Sequence, residues 1–257
     1  MRRLVPFLVL LAGCTSKTEI PNVPPAPPAG AASPAPVPDS GRFLATIVER
    51  VPAPPNPKSV DQLEGDASAR PDDPAALKAL GLGYYNAGGF LPAGTTLERA
   101  LKVKPADAEA ALYLGLSQLG QGEAKTARET LTKVAGSTDG PSAARARFAL
   151  GDLAYADKKD ADAAQQYAQA LKLDPALGVA ALALGALRAQ AGKMPEARTL
   201  FESAAKNLQP GGLRSRAYAS LGRLAREAKD AAGAKSWATK ALTDDPTNPW
   251  AKQLVGK

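Results

Sequence analysis

The sequence predicts an all-α solenoid, and three observations carry that prediction. A Leu-Gly pair recurs along the chain at a near-constant interval. An alanine and then a larger apolar residue follow each pair at fixed offsets. The composition is 45% hydrophobic but only 5% aromatic, which suits thin, closely packed helices. The pairs are Leu80-Gly81, Leu114-Gly115, Leu150-Gly151, Leu184-Gly185 and Leu221-Gly222, the glycines recurring at intervals of 34, 36, 34 and 37 residues. Twelve residues after each glycine stands Ala93, Ala127, Ala163, Ala197 or Ala234, and four further on Leu97, Leu131, Tyr167, Phe201 or Ala238. Three more bring Ala100, Val134, Ala170, Ala204 or Ala241. Small residues let two helices approach, and large ones fill the space beside them. One such pair cannot bury its apolar face alone, so the units must stack.

Each unit carries a short break between its helices: Gly88-Gly89, Gly122-Glu123, Lys158-Lys159, Gly192-Lys193 and Lys229-Asp230. Pro92 and Pro195 fall just after two of these breaks, at the start of a second helix, where proline costs no hydrogen bond. Pro105, Pro175 and Pro246 close three of the units. With its Leu-Gly pair, small Ala, large residue and terminal Pro, the pattern resembles the tetratricopeptide repeat (TPR), a helix-turn-helix unit of about 34 residues. The resemblance implies a right-handed superhelical solenoid of about five repeats, at about 74–107, 108–143, 144–177, 178–214 and 215–248. Residues 59–71, with Val60, Leu63 and Ala67 at helical spacing, read as an N-terminal capping helix. Residues 249–257 read as a C-terminal cap, completing a repeat domain over 72–257. Trp250 and Leu254 are expected to cover its last apolar face, because terminal repeats need a lid.

The N-terminus carries a separate signal. Arg2 and Arg3 precede the apolar run Val5 to Leu11, which is followed by Leu11-Ala12-Gly13-Cys14. The run is roughly half the ~20 residues a membrane-spanning helix needs, so residues 1–13 read as a secretory signal. Leu-Ala-Gly-Cys resembles the bacterial lipobox, which implies cleavage before Cys14 and its acylation; a plain secreted protein with an incidental cysteine is the alternative. Thr15 follows the cysteine, and by resemblance to lipoprotein sorting the absence of Asp there implies the outer membrane. Cys14 is the only cysteine, so no disulfide forms within the chain. Residues 14–58 form a Pro/Ala-rich linker whose composition favours extended, disordered chain and cannot build a core. Within it lies one apolar island, Phe43 to Val51, which either packs against the repeats or serves as a partner epitope.

Composition excludes more than it asserts. The formal charge is +7, of which Arg2 and Arg3 contribute two, and basic residues are interspersed with acidic ones. A nucleic-acid surface would need clustered charge with interleaved aromatics. The chain has no histidine, which removes Ser-His and Cys-His pairs, histidine metal sites and the commonest general base. No catalytic residue, metal ligand, cofactor or small-molecule substrate is expected. The pairs Asp72-Asp73 and Asp244-Asp245, each before a proline, read as helix caps in the turns between units.

The resemblance also implies where a partner would bind. In each first helix, the residues six and three before the glycine and one and four after it share one face, and in this family that face lines the concave groove. It takes in Ala75, Lys78, Leu82 and Tyr85; Glu109, Leu112, Leu116 and Leu119; Arg145, Phe148, Asp152 and Tyr155; Val179, Leu182, Ala186 and Ala189; and Ala219 beside Arg216, Arg223 and Arg226. The expected groove residues are Lys78, Leu82, Tyr85, Leu112, Leu116, Phe148, Asp152, Tyr155, Leu182, Arg216, Arg223 and Arg226, apolar first and basic last. Burial of the leucines between neighbouring helices is the alternative; Tyr85, Phe148 and Tyr155 are the expected anchors. Lys78 has Leu82, not Asn, one turn on, so the clamp that some repeats of this family form around a peptide carboxylate is not matched. These readings predict a non-catalytic protein-binding scaffold, lipid-anchored in the bacterial envelope, similar in architecture to pilotins. The rivals are an accessory to peptidoglycan-acting enzymes and a passive envelope spacer. If Cys14 is the lipid site, a fatty-acid probe fed to the host labels the wild type and not Cys14→Ser; an intact mass that retains Met1 contradicts the processing.

Overall fold

The computed structural model describes residues 53–256. The signal, Cys14, most of the linker and the Phe43–Val51 island lie outside the described residues. Within them there are twelve helices and no strand. Helix α1 (Val60–Ala69) precedes five pairs: α2 (Pro74–Asn86) with α3 (Phe90–Val103), α4 (Ala108–Gly120) with α5 (Ala124–Ala135), and α6 (Gly140–Ala156) with α7 (Asp160–Leu173). The pairs α8 (Gly178–Gln190) with α9 (Met194–Asn207) and α10 (Gly212–Glu227) with α11 (Ala231–Asp244) follow, and α12 (Pro249–Val255) ends the stack.

Five of the twelve helix starts are capped by short polar side chains. Ser59 and Gln62 form a reciprocal capping box on α1. Asp73, Asp107, Asp230 and Asn248 each accept a first-turn backbone N–H, at α2, α4, α11 and α12. The five pairs are joined by the same device. In every intra-pair turn the middle residue takes positive φ: Gly88 (85°), Gly122 (82°), Lys158 (62°), Gly192 (74°) and Lys229 (62°). The next residue's N–H then reaches back to a carbonyl five residues earlier, as from Lys159 to Ala154 (2.9 Å) and from Lys193 to Arg188 (2.9 Å). This left-handed closure satisfies carbonyls that the helix end leaves open. Glycine adopts it without strain, whereas Lys158 and Lys229 carry the steric cost of a Cβ there.

The core of each pair is a glycine pressed under a large side chain. A methyl carbon on Gly81 would fall 2.6 Å from Leu97, on Gly115 2.8 Å from Leu131, on Gly151 2.5 Å from the Tyr167 ring, and on Gly185 2.8 Å from the Phe201 ring. Ala93, Ala127, Ala163 and Ala197 are fully buried beside these contacts. The fifth pair has only Ala238 at the large position, and Leu254 of α12 fills the space instead, 2.8 Å from where a Gly222 methyl would stand. Ala251 and Leu254 therefore form the lid. Trp250 does not: it stays 38% exposed beside the Arg216 guanidinium, 5.9 Å from its ring centroid. At the other end, Leu63 of α1 packs onto Gly83 of α2.

The last turn also departs from the expected double cap. Asp244 lies inside α11 and takes two hydrogen bonds from Arg214 of α10, both 2.6 Å. Asp245 accepts from the Thr247 N–H. Asn248 is almost wholly buried; its amide donates to Ser215 Oγ (2.8 Å), which donates to the Ala241 carbonyl (2.8 Å).

The glycine contact sets a mutational expectation. In α6, Gly151→Ala gains about 1 kcal/mol of helix propensity but overpacks Tyr167, at a cost of about 1–3 kcal/mol. Tyr167 cannot step aside, because it is buried and hydrogen-bonded to Asp152. Thermal unfolding followed by circular dichroism should show a lowered Tm for Gly151→Ala and none for Gly65→Ala, an α1 glycine with nothing within 4 Å of its added methyl.

Candidate protein-binding groove

Helix contacts say which side of the stack is concave. Successive first helices touch at α2–α4 and α4–α6, and α10 touches α12, whereas no successive second helices make comparable contacts. Each second helix instead wedges against the next first helix, as α3 against α4 and α5 against α6. An array drawn together on one side and splayed on the other curves toward the first helices.

On that inner face the residues divide by depth. Leu112 is fully buried, and Leu116, Phe148 and Leu182 are each 8% exposed. These positions are spent in the core rather than presented as a surface, and Phe148 lies against the Tyr167 ring, 5.7 Å between centroids. Tyr85 is also a correction to the expected accessible anchor. It is 2% exposed, with edge-on rings from Phe90 (5.8 Å) and Tyr113 (5.1 Å) packed about it. The face that remains partly open is Leu82, Leu119, Tyr155, Val179 and Ala189. Beyond these, Arg216 and Arg223 are partly exposed and Arg226 is exposed, all on α10.

Two charged positions are spent on internal bonds. Lys78 Nζ donates to Asp107, the cap of α4, and to Glu109, both at 3.1 Å, and so ties the first unit to the second. Burial alone would lower its pKa, but the hydrogen bonds it donates to Glu109 and Asp107 more than offset this and hold the ammonium above the usual lysine range. Lys78 is a strut, not a ligand clamp. Asp152 accepts from the Tyr167 hydroxyl at 2.7 Å. Although the residue keeps some exposed surface, its carboxyl sits among protein atoms, and desolvation pushes its pKa up to about 7 against the opposing Tyr167 bond. Burial and Asp152 in turn push the Tyr167 hydroxyl above the ordinary phenol range. Arg145 of α6 donates to the Tyr113 hydroxyl of α4 across the unit boundary, at 3.3 Å.

One polar residue on this face was missed by a spacing that stopped four residues after the glycine. Asn86, one position on, holds both backbone polar atoms of Ala53. An amide side chain just beyond an apolar stripe is its only sequence signal. Among the described residues, no three His, Cys, Asp or Glu side chains gather where they could hold a metal ion.

Curved stacks of glycine-notched helix pairs define a class of protein, and the sequence matches it. The tetratricopeptide repeat family covers residues 78–140, 114–178 and 182–249, and the chain belongs to that family. Among solved structures it is similar to pilF of Pseudomonas aeruginosa, with a TM-score of 0.65 and 20% identity over 77% of this chain and 89% of that one. It is also similar to PilW, a widely conserved type IV pilus biogenesis factor, with a TM-score of 0.59 and 16% identity over 76% and 88%. A third is YrrB, a TPR protein with an unusual peptide-binding site, with a TM-score of 0.51 and 17% identity over 77% and 100%. At these identities the likeness is one of fold. No curated protein matches the chain.

The Asp152 bond generates a pH expectation. Its folded-state pKa, about 7, lies above the unfolded carboxyl value of about 3.9. The site's stabilisation is therefore full below about pH 4 and is lost as the pH rises to about 7. The Tm of the wild type should fall relative to that of Asp152→Asn between pH 4.5 and 7.5; parallel profiles would show that the carboxyl titrates normally.

Proposed function

We propose that this protein is a non-catalytic scaffold that holds a segment of another protein in its concave groove. The observation that carries the reading is the partly open inner face, apolar at Leu82, Leu119, Tyr155, Val179 and Ala189 and basic at Arg216, Arg223 and Arg226. Apolar burial supplies affinity there, and the arginines add orientation and association rate, since exposed ion pairs are worth only ~0–1 kcal/mol each. The fitting ligand is an extended or helical segment with apolar anchors at one end and acidic residues at the other.

The same proposal places the repeats in a bacterial envelope. Residues 1–13 act as a lipoprotein signal, acylated Cys14 anchors the chain on the periplasmic face of the outer membrane, and the Pro/Ala linker holds the repeats off the lipid. The resemblance of Leu-Ala-Gly-Cys to a lipobox supports the anchor. The shared fold of pilF and PilW supports a pilotin-like assembly role, and that of YrrB supports peptide binding.

The test is capture from envelope extract with groove variants of the full chain. Tyr155→Ala should weaken the captured partner's binding by about 1 kcal/mol or more. Charge reversal at Arg223 and Arg226 should weaken it chiefly at low salt. Binding that survives both changes but is lost on substituting exposed residues of α5, α7 and α9 would refute the groove.

A further inference from the structure

The first described residue is already pinned. Ala53 is only 4% exposed and belongs to the same apolar cluster as Tyr85, Tyr113 and Leu131. Its N–H donates to Asn86 Oδ1 (3.0 Å), and its carbonyl accepts from Asn86 Nδ2 (3.4 Å). A side-chain amide offers one acceptor and donors together, so it can hold both polar atoms of one residue in a passing strand. It reads backbone and not side chain, and would hold any extended segment laid across the end of α2. After this point the chain runs exposed from 54 to 58 and enters α1.

Only Pro52 separates the pinned residue from the apolar island. Phe43, Leu44, Ile47, Val48 and Val51 give that island five large apolar side chains within nine residues. An extended run of nine residues reaches up to ~30 Å, and neighbouring packed helices stand ~8–10 Å apart, so it can reach from α2 across α4 to α6. Those three helices carry the partly open apolar residues Leu82, Leu119 and Tyr155. We propose that Phe43–Val51 lies in the groove of the first three units as an intramolecular ligand, with Asn86 pinning its downstream end. The proposal rests on the concave face being the binding surface. It adds that a partner must displace the chain's own segment. A tether this short gives an effective concentration of order mM, so even a weakly held segment lowers a partner's apparent affinity by the fraction of molecules in the open state.

Trypsin provides the test without a partner, because Arg50 lies within the island near its downstream end, Arg42 just precedes it and Lys17 lies well upstream. In the full-length chain in detergent, cleavage after Arg50 should be at least ~10-fold slower than after Lys17, as expected when cutting requires an opened state. Ile47→Asp, which leaves the repeats untouched, and Asn86→Ala should both bring Arg50 to the Lys17 rate, with helicity by circular dichroism unchanged. A labelled peptide of residues 42–52 should bind the Ile47→Asp chain at least ~10-fold tighter than the wild type. Equal cleavage at Arg50 and Lys17 in the wild type overturns the proposal. So does protection that survives Leu119→Glu, which places the segment off the groove, or protection that rises with protein concentration, which assigns the groove to a second copy. Because none of these readings uses a partner, they stand apart from capture in envelope extract.

Discussion

A glycine under a large side chain, repeated at each crossing, is the contact on which the structure depends. It brings the two helices of a pair close enough for Ala93, Ala127, Ala163 and Ala197 to disappear between them. A pair this thin has little apolar interior of its own, so its second helix must lean on the next first helix, and the stack follows. Curvature follows in turn, because first helices meet at α2–α4, α4–α6 and α10–α12 while no successive second helices make comparable contacts. The groove is thus a by-product of how the pairs are packed. The fifth pair shows how strict the requirement is: with Ala238 where a large residue belongs, the chain brings Leu254 from the terminal helix to the same place.

Polar ties supplement this packing. The Lys78–Asp107–Glu109 strut links the first unit to the second, the Arg214–Asp244 pair joins the two helices of the fifth, and the Asn248–Ser215–Ala241 chain ties the start of α12 to that pair. In the third unit Asp152 holds a buried carboxyl against Tyr167 directly beside the glycine contact of that unit. Such a bond costs desolvation that a leucine there would not, and it gives this crossing a pH dependence.

Much of the fold was legible because a repeat displays its packing several times over. The Leu-Gly pairs, the alanines twelve residues on and the breaks at Gly88, Gly122, Lys158, Gly192 and Lys229 all mark positions with one backbone or one contact that tolerates little else. The groove was less legible. Helical spacing gives the direction of a side chain but not its depth, so Leu112, Phe148 and Leu182 shared a face with Tyr155 and yet are buried. Tyr85 was hidden by the Phe90 and Tyr113 rings, and Lys78 by two carboxylates about thirty residues away, which no local spacing reveals. Trp250 was misjudged because the contacts of the terminal helix follow no period.

The most direct measurement of where the work is done is site-specific photocrosslinking in the cell, with a benzophenone side chain at single positions. Leu119 and Ala189 report on the inner face, and Thr132 and Leu173, both exposed on second helices, on the outer one. The account predicts adducts from Leu119 and Ala189, whether to a partner or to the chain's own linker, and none from Thr132 or Leu173. Adducts confined to Thr132 and Leu173 would contradict it.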